Sequence, residues 1–178
     1  MGAVRPAIVV LPLLLAANAC RQSSDAGTIA PVYDRSTGRL ELLEYDADRN
    51  GTVDRVSYMD GARVLRVEVD ADEDGAVDRI EHYDAAQKLA RVEIDARRTG
   101  RMTRFERYAQ DALVGAEEDT DSDGRLDRWE TYDGQRLVSV AFDSTRSGRA
   151  DRRLVYGPDG SGRLELDADG DGVFEPVK

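Results

Sequence analysis

The feature that most constrains this chain is a short internal period. Aspartates lead a recurring segment at Asp46, Asp70, Asp95, Asp119, Asp143 and Asp167, spaced 24 or 25 residues apart. Glycines keep step at Gly51, Gly75, Gly100, Gly124, Gly148 and Gly172. Tyrosines follow at Tyr33, Tyr58, Tyr83, Tyr108, Tyr132 and Tyr156. A fixed period of this length marks an array, in which each unit buries its apolar side chains only against its neighbours.

Each unit reads as loop, strand, turn, strand. Counting the leading aspartate as position 1, position 10 is Arg55, Arg79, Arg104, Arg128 and Arg152, and position 11 is Val56, Ile80, Phe105, Trp129 and Arg153. Turn residues follow the tyrosine, as in Asp60-Gly61, Asp133-Gly134 and Pro158-Asp159-Gly160. The return segment alternates with period two: Leu65, Val67 and Val69 share one face, Arg66 and Glu68 the other. Glutamate recurs two residues before the leading aspartate, at Glu44, Glu68, Glu93, Glu117 and Glu165. The stretch 79–96 contains good helix formers, but the alternation of β-branched residues and the mid-unit turns decide for strands. The expected fold is therefore all-β: an array of about six 24-residue β-hairpin repeats forming a meander sheet, with Asp-rich loops along one edge and tight turns along the other. One face is expected to be aliphatic and the other to carry an Arg, Glu and Tyr ladder. An apolar face of that size is not left in water, so closure, self-association or a protein partner is expected to cover it.

The loops carry the chemistry. Calcium takes about six to eight oxygen ligands at roughly 2.3–2.6 Å, and alternating aspartates on a tightly curved loop turn their carboxylates inward. Glycine at position 6 permits the sharp bend. Asp70, Asp72, Asp74, Asp78 and Glu81 match the calcium-loop pattern through its position-12 acid, and so do Asp119, Asp121, Asp123, Asp127 and Glu130. Two loops are partial: Asp46, Asp48, Asn50 and Asp54, where Ser57 replaces the last acid, and Asp167, Asp169 and Asp171, with Glu175 at position 9. The third loop has Arg97 and Thr99, and the fifth Thr145 and Ser147, in place of ligands. These two are expected to hold no metal, with Arg97 or Arg146 neutralising the leading aspartate of its own loop.

On these residues the loops resemble the calcium loops of EF-hand, dockerin and thrombospondin type 3 repeats, and the Asp-rich hairpin loops of integrin-type propellers. The tyrosine-turn-leucine half of each unit resembles short bacterial hairpin repeats of the MORN type. The EF-hand resemblance implies a helix that swings the position-12 glutamate back to the ion. A strand in that place leaves two assignments open: the position-9 aspartate closes the site, or the position-12 glutamate does. In the first case Glu81 and Glu130 belong to the Arg–Glu ladder, where Glu106 also stands.

The N-terminus has its own signal. Arg5 precedes the apolar run Ala7–Ala17, and Ala17-Asn18-Ala19 leads into Cys20, the only cysteine. This order resembles the lipobox of bacterial lipoproteins, which implies lipidation of Cys20 and a membrane anchor in the cell envelope. Arg21, following the cysteine, fits the outer membrane rather than retention at the inner one. The expected organisation is a signal peptide over 1–19, a polar tether over 20–31 and a calcium-loop repeat domain over 32–178. A single cysteine excludes an intramolecular disulfide, so bound cations are the remaining cross-link.

The formal charge of −11 favours cations and repels nucleic acid and anionic lipid. No nucleophile elbow, zinc spacing or phosphate loop is present, and His82, the only histidine, sits where other units have Arg107 and Thr131. Trp129 shares its position with Val56 and Ile80, which reads as packing. The sequence points away from catalysis. Its first reading is a lipid-anchored calcium-binding protein of the envelope with a structural or adhesive role. Its second is a protein-binding module whose Asp-Gly loops serve as turns or folding sites.

Overall fold

A computed structural model describes residues 27–177. The expected signal peptide, Cys20 and the first part of the expected tether lie outside the described residues. Thirteen strands, and no helix among the described residues, form one antiparallel sheet in strict chain order. The strands are β1 (Thr28–Tyr33), β2 (Leu40–Asp46), β3 (Arg55–Asp60), β4 (Arg63–Val69), β5 (Arg79–Tyr83), β6 (Leu89–Ile94) and β7 (Arg104–Ala109). They continue as β8 (Ala112–Glu118), β9 (Arg128–Asp133), β10 (Arg136–Phe142), β11 (Arg152–Tyr156), β12 (Gly162–Leu166) and β13 (Glu175–Pro176). The sheet is an open meander: β1 and β13 are its two edges and do not pair. Each edge strand carries a proline, Pro31 or Pro176, which withholds a ladder donor and blunts edge-to-edge pairing. β1 begins at Thr28, so residues 28–31, expected as tether, belong to the sheet.

Cross-strand register decides the faces, and it replaces the expected division into one aliphatic and one charged face. Val67 lies opposite Glu81, Glu81 opposite Val92, Val92 opposite Glu106, and the row runs on through Ala116 and Glu130 to Val140. Residues directly opposite one another point to the same side. Val92 and Ala116 therefore lie between two position-12 glutamates, while Val67 and Val140 have one each, with Ser57 or Leu154 on the other side. The other face alternates likewise through Glu68, Ile80, Glu93, Phe105, Glu117 and Trp129. Small apolar residues are buried under the long side chains beside them: Val92 is 0% exposed although the sheet has a single layer.

On the first face, position 10, 12 and 14 side chains of one strand join in a ladder. Tyr83, Tyr108 and Tyr132 each donate a hydrogen bond of 2.8 Å to the glutamate two residues earlier. Arg104 bridges three strands, contacting Glu106 at 3.0 Å, Glu118 at 3.2 Å and Glu130 at 2.8 Å. Such cross-strand pairs contribute about 0.2–1 kcal/mol each. Tyr58 breaks the series. It stands at position 13, one short of the others, so it points to the opposite face and donates to Glu68, with Arg66 stacked 4.1 Å over its ring. His82 is half-buried beside Glu93 at 2.9 Å.

Candidate metal sites

All six Asp loops, from the β2–β3 connection to the β12–β13 connection, share one backbone design. The residues at positions 4 and 6 are both left-handed, from Arg49 (φ 64°) and Gly51 (φ 94°) in the first loop to Gly170 (φ 76°) and Gly172 (φ 89°) in the last. That double reversal points the position-6 N–H at the leading aspartate, whose Oδ2 accepts it at 2.6–3.0 Å in every loop. Consecutive loops are joined as well. The N–H of each leading aspartate from Asp70 to Asp167 donates to the position-9 carbonyl of the loop before it, at 2.8–3.0 Å. The fold thus stacks six acidic loops along one sheet edge.

Three of these loops gather carboxylates. One oxygen from each of Asp70, Asp72 and Asp78 lies within 4.8 Å of the other two, and the same holds for Asp119, Asp121 and Asp127 and for Asp167, Asp169 and Asp171. Oxygens bound to one calcium at about 2.3–2.6 Å are separated by no more than about 5 Å, so each trio fits around a single ion. Asp70 Oδ1 is buried and accepts no hydrogen bond, an orphaned acceptor within its trio. Burial of such a group is costly unless something supplies the missing partner.

Other residues of the sequence pattern go elsewhere. Glu81 and Glu130 lie on strands and serve the ladder, because a strand after the loop does not turn position 12 back toward it. Glu81 receives Tyr83 and Arg79, and Glu130 receives Tyr132, Arg104 and Arg128. Burial pushes both carboxyls up, but these donors more than offset it and hold them below the ordinary range. Asp74 and Asp123, at position 5, accept the N–H of Ala76 at 2.8 Å and Arg125 at 2.9 Å and stand outside their trios, whereas Asp171 accepts the N–H of Val173 at 2.7 Å and still belongs to its own. In the first loop Asp46, Asp48 and Asp54 do not converge as the three trios do. Asn50 instead donates to Asp48 and, at 2.6 Å, to Glu73 of the next loop. Although Asn50 lowers it, desolvation and the nearby Asp48 and Asp54 raise the Glu73 carboxyl, a sign of crowded negative charge between these loops.

The third and fifth loops hold their leading aspartates with backbone N–H groups and the hydroxyls of Thr99, Thr145 and Ser147. Burial raises the Asp95 carboxyl, but N–H groups of Gly100, Arg97, Thr99 and Arg101 outweigh it and lower it overall. Asp143 is likewise raised by burial and pulled down to about 2 by N–H groups of Gly148, Ser147 and Thr145 and the Thr145 hydroxyl. The expected own-loop neutralisation by Arg97 or Arg146 is replaced by a cross-loop one. Arg146 reaches Asp121 at 2.8 Å, and Arg98, at the equivalent position 4, reaches Asp72 at 3.1 Å. Both arginines leave a ligand-poor loop for the position-3 carboxylate of the ligand-rich loop before it. Both stand at the left-handed position 4, and no one-dimensional spacing signals this placement.

Fold and loops together define an open antiparallel repeat sheet with an acidic edge. No protein-family model matches the chain, and no curated protein matches it. The geometry of the loops therefore carries the functional argument.

Proposed function

We propose that this chain is a lipid-anchored calcium-binding repeat protein of the bacterial cell envelope, with a structural or adhesive and non-catalytic role. Calcium sits in the second, fourth and last loops, closed in the first two by Asp78 and Asp127. The observation that carries this reading is the convergence of three carboxylates in each of these loops, in phase with the repeat. The anchor rests on Ala17-Asn18-Ala19-Cys20, and the outer membrane on Arg21 following it. Along a sheet held only by neighbour contacts, ions at one edge act as the staples that disulfides supply elsewhere.

Calcium that binds only the folded state adds RT ln(1 + [L]/Kd), about 2.7 kcal/mol per site at a hundredfold excess. Thermal unfolding followed by circular dichroism, in calcium and in EDTA, tests this. A clear rise of Tm in calcium is expected, and coincident curves reject the calcium sites. Mass spectrometry of the membrane fraction, with Cys20→Ser as control, tests the anchor; an unmodified wild-type cysteine rejects it.

A further inference from the structure

The repeat is broken at one place on the face that carries Trp129. Position 8 is Val53, Val77, Met102 and Leu126 in the first four units and Phe174 in the last, but Ala150 in the fifth. Two residues before the leading aspartate, glutamate gives way only to Ala141. Register shows where these two truncations fall. The position-11 side chain of one unit lies beside position 8 of the next: Phe105 and Leu126 line one depression, and Arg153 stacks 4.6 Å over the Phe174 ring. Trp129 and Ala150 line one cleft there, and the cross-strand partner of Trp129 is Ala141, which does not line it. Where other units place a large apolar side chain at position 8, this one has only a methyl group. The result is a cleft of about 480 Å³ with Trp129 and Phe174 as aromatic walls, within the roughly 300–1,000 Å³ range of small-molecule sites. Phe174 is held by Arg153, itself fixed by Glu165 at 3.0 Å.

The polar lining selects the ligand. Arg149 lines the cleft together with Asp167 and Asp171, two of the carboxylates proposed above to hold calcium. A hydroxyl group donates to a carboxylate oxygen and accepts from a guanidinium at once. Aromatic faces are electron-rich and attract weakly positive C–H edges. Gly148, Gly170 and Gly172 line the same cleft without side-chain bulk, their N–H groups already donated to Asp143 and Asp167. A ring with a C–H face and a belt of hydroxyls satisfies all of these groups together. We propose that this cleft binds a pyranose ring of a neutral glycan, stacked on Trp129. The aromatic walls do not rest on the calcium reading, although Asp167 and Asp171 belong to both sites.

Trp129 is the only tryptophan, so its fluorescence reports on the cleft directly. The test titrates the full chain with chitotetraose, cellotetraose and maltotetraose, in calcium and in EDTA, with choline and inorganic phosphate as charged comparators. A saturable emission change with at least one tetrasaccharide, in either buffer, is expected. Ala150→Leu, which restores the bulk found at Leu126, weakens it at least tenfold while the far-ultraviolet spectrum is kept, and Phe174→Ala weakens it similarly. Absence of a saturable response to all three sugars overturns the proposal. So does full binding by Ala150→Leu, or a response confined to choline or to phosphate.

Discussion

Arg98 leaves its own loop and places its guanidinium 3.1 Å from the carboxylate of Asp72 in the loop before it. Arg146 repeats the move on Asp121. The ligand-poor loops thus lend a positive charge to their ligand-rich neighbours, and a divalent ion at Asp72 or Asp121 meets a cation already there. A unit charge about 5 Å from a divalent ion costs about 1–2 kcal/mol in water-like dielectric. Replacing both arginines by glutamine is expected to tighten calcium binding several-fold in calorimetric titration. In EDTA the same variant loses at most about 1 kcal/mol, since both guanidinium groups are largely exposed. Unchanged or weaker calcium affinity in the double variant would show that the arginines do not compete.

The placement of the position-9 and position-12 acids separates binding from stability. Asp78→Asn and Asp127→Asn remove a carboxylate from each trio and are expected to lower calcium affinity at least tenfold. Glu130→Gln leaves calcium affinity within about twofold. It destabilises the sheet by about 2 kcal/mol, because Arg104 and Arg128 lose the charge of a buried partner, while Arg104 keeps Glu106 and Glu118. Paired calorimetric titrations and urea unfolding of the three variants check this; a loss of affinity in Glu130→Gln returns position 12 to the metal site.

Acid stability follows from the leading aspartates. Asp143 is held at about 2 in the folded chain, against an ordinary value of about 3.9. A depressed carboxyl adds stability above its unfolded value and surrenders it as pH falls through the folded one. Stability is therefore expected to decline between about pH 4 and pH 2, with Asp95 contributing in the same direction. Urea unfolding across that range should give a shallower slope for Asp143→Asn, which is also less stable than the wild type at pH 7. An identical slope contradicts the assignment.

Loop backbone yields a prediction of opposite signs. Ser122, at φ 63°, is left-handed and its hydroxyl is buried without a partner, so Ser122→Gly is expected to stabilise by up to about 1 kcal/mol. Gly124, at φ 93°, carries the turn that aims its N–H at Asp119, so Gly124→Ala is expected to cost about 1–2 kcal/mol. Thermal melts in EDTA read both without interference from bound ions.

By itself the sequence determined the architecture: period-two alternation, a turn in mid-unit and Asp-Gly loops every 24 or 25 residues lead to an antiparallel meander with acidic loops on one edge. These are local signals, written within a few residues of where they act. Which residues face one another is a different matter, because it depends on pairing between strands rather than spacing along one. Val67 and Glu81 share a side only because β4 and β5 pair in that register, so the apolar and charged residues interleave on both faces. Tyr58, a single position out of step, crosses to the other face for the same reason. Glu81 reads as a ligand by its place in the loop pattern, yet the strand that follows carries it to Tyr83 and Arg79. Arg146 reads as a partner for Asp143, yet stacking brings Asp121 within its reach. Only the tertiary structure decided these contacts, since an antiparallel sheet sets the neighbours of a side chain by hydrogen-bonded register and loop stacking across the chain.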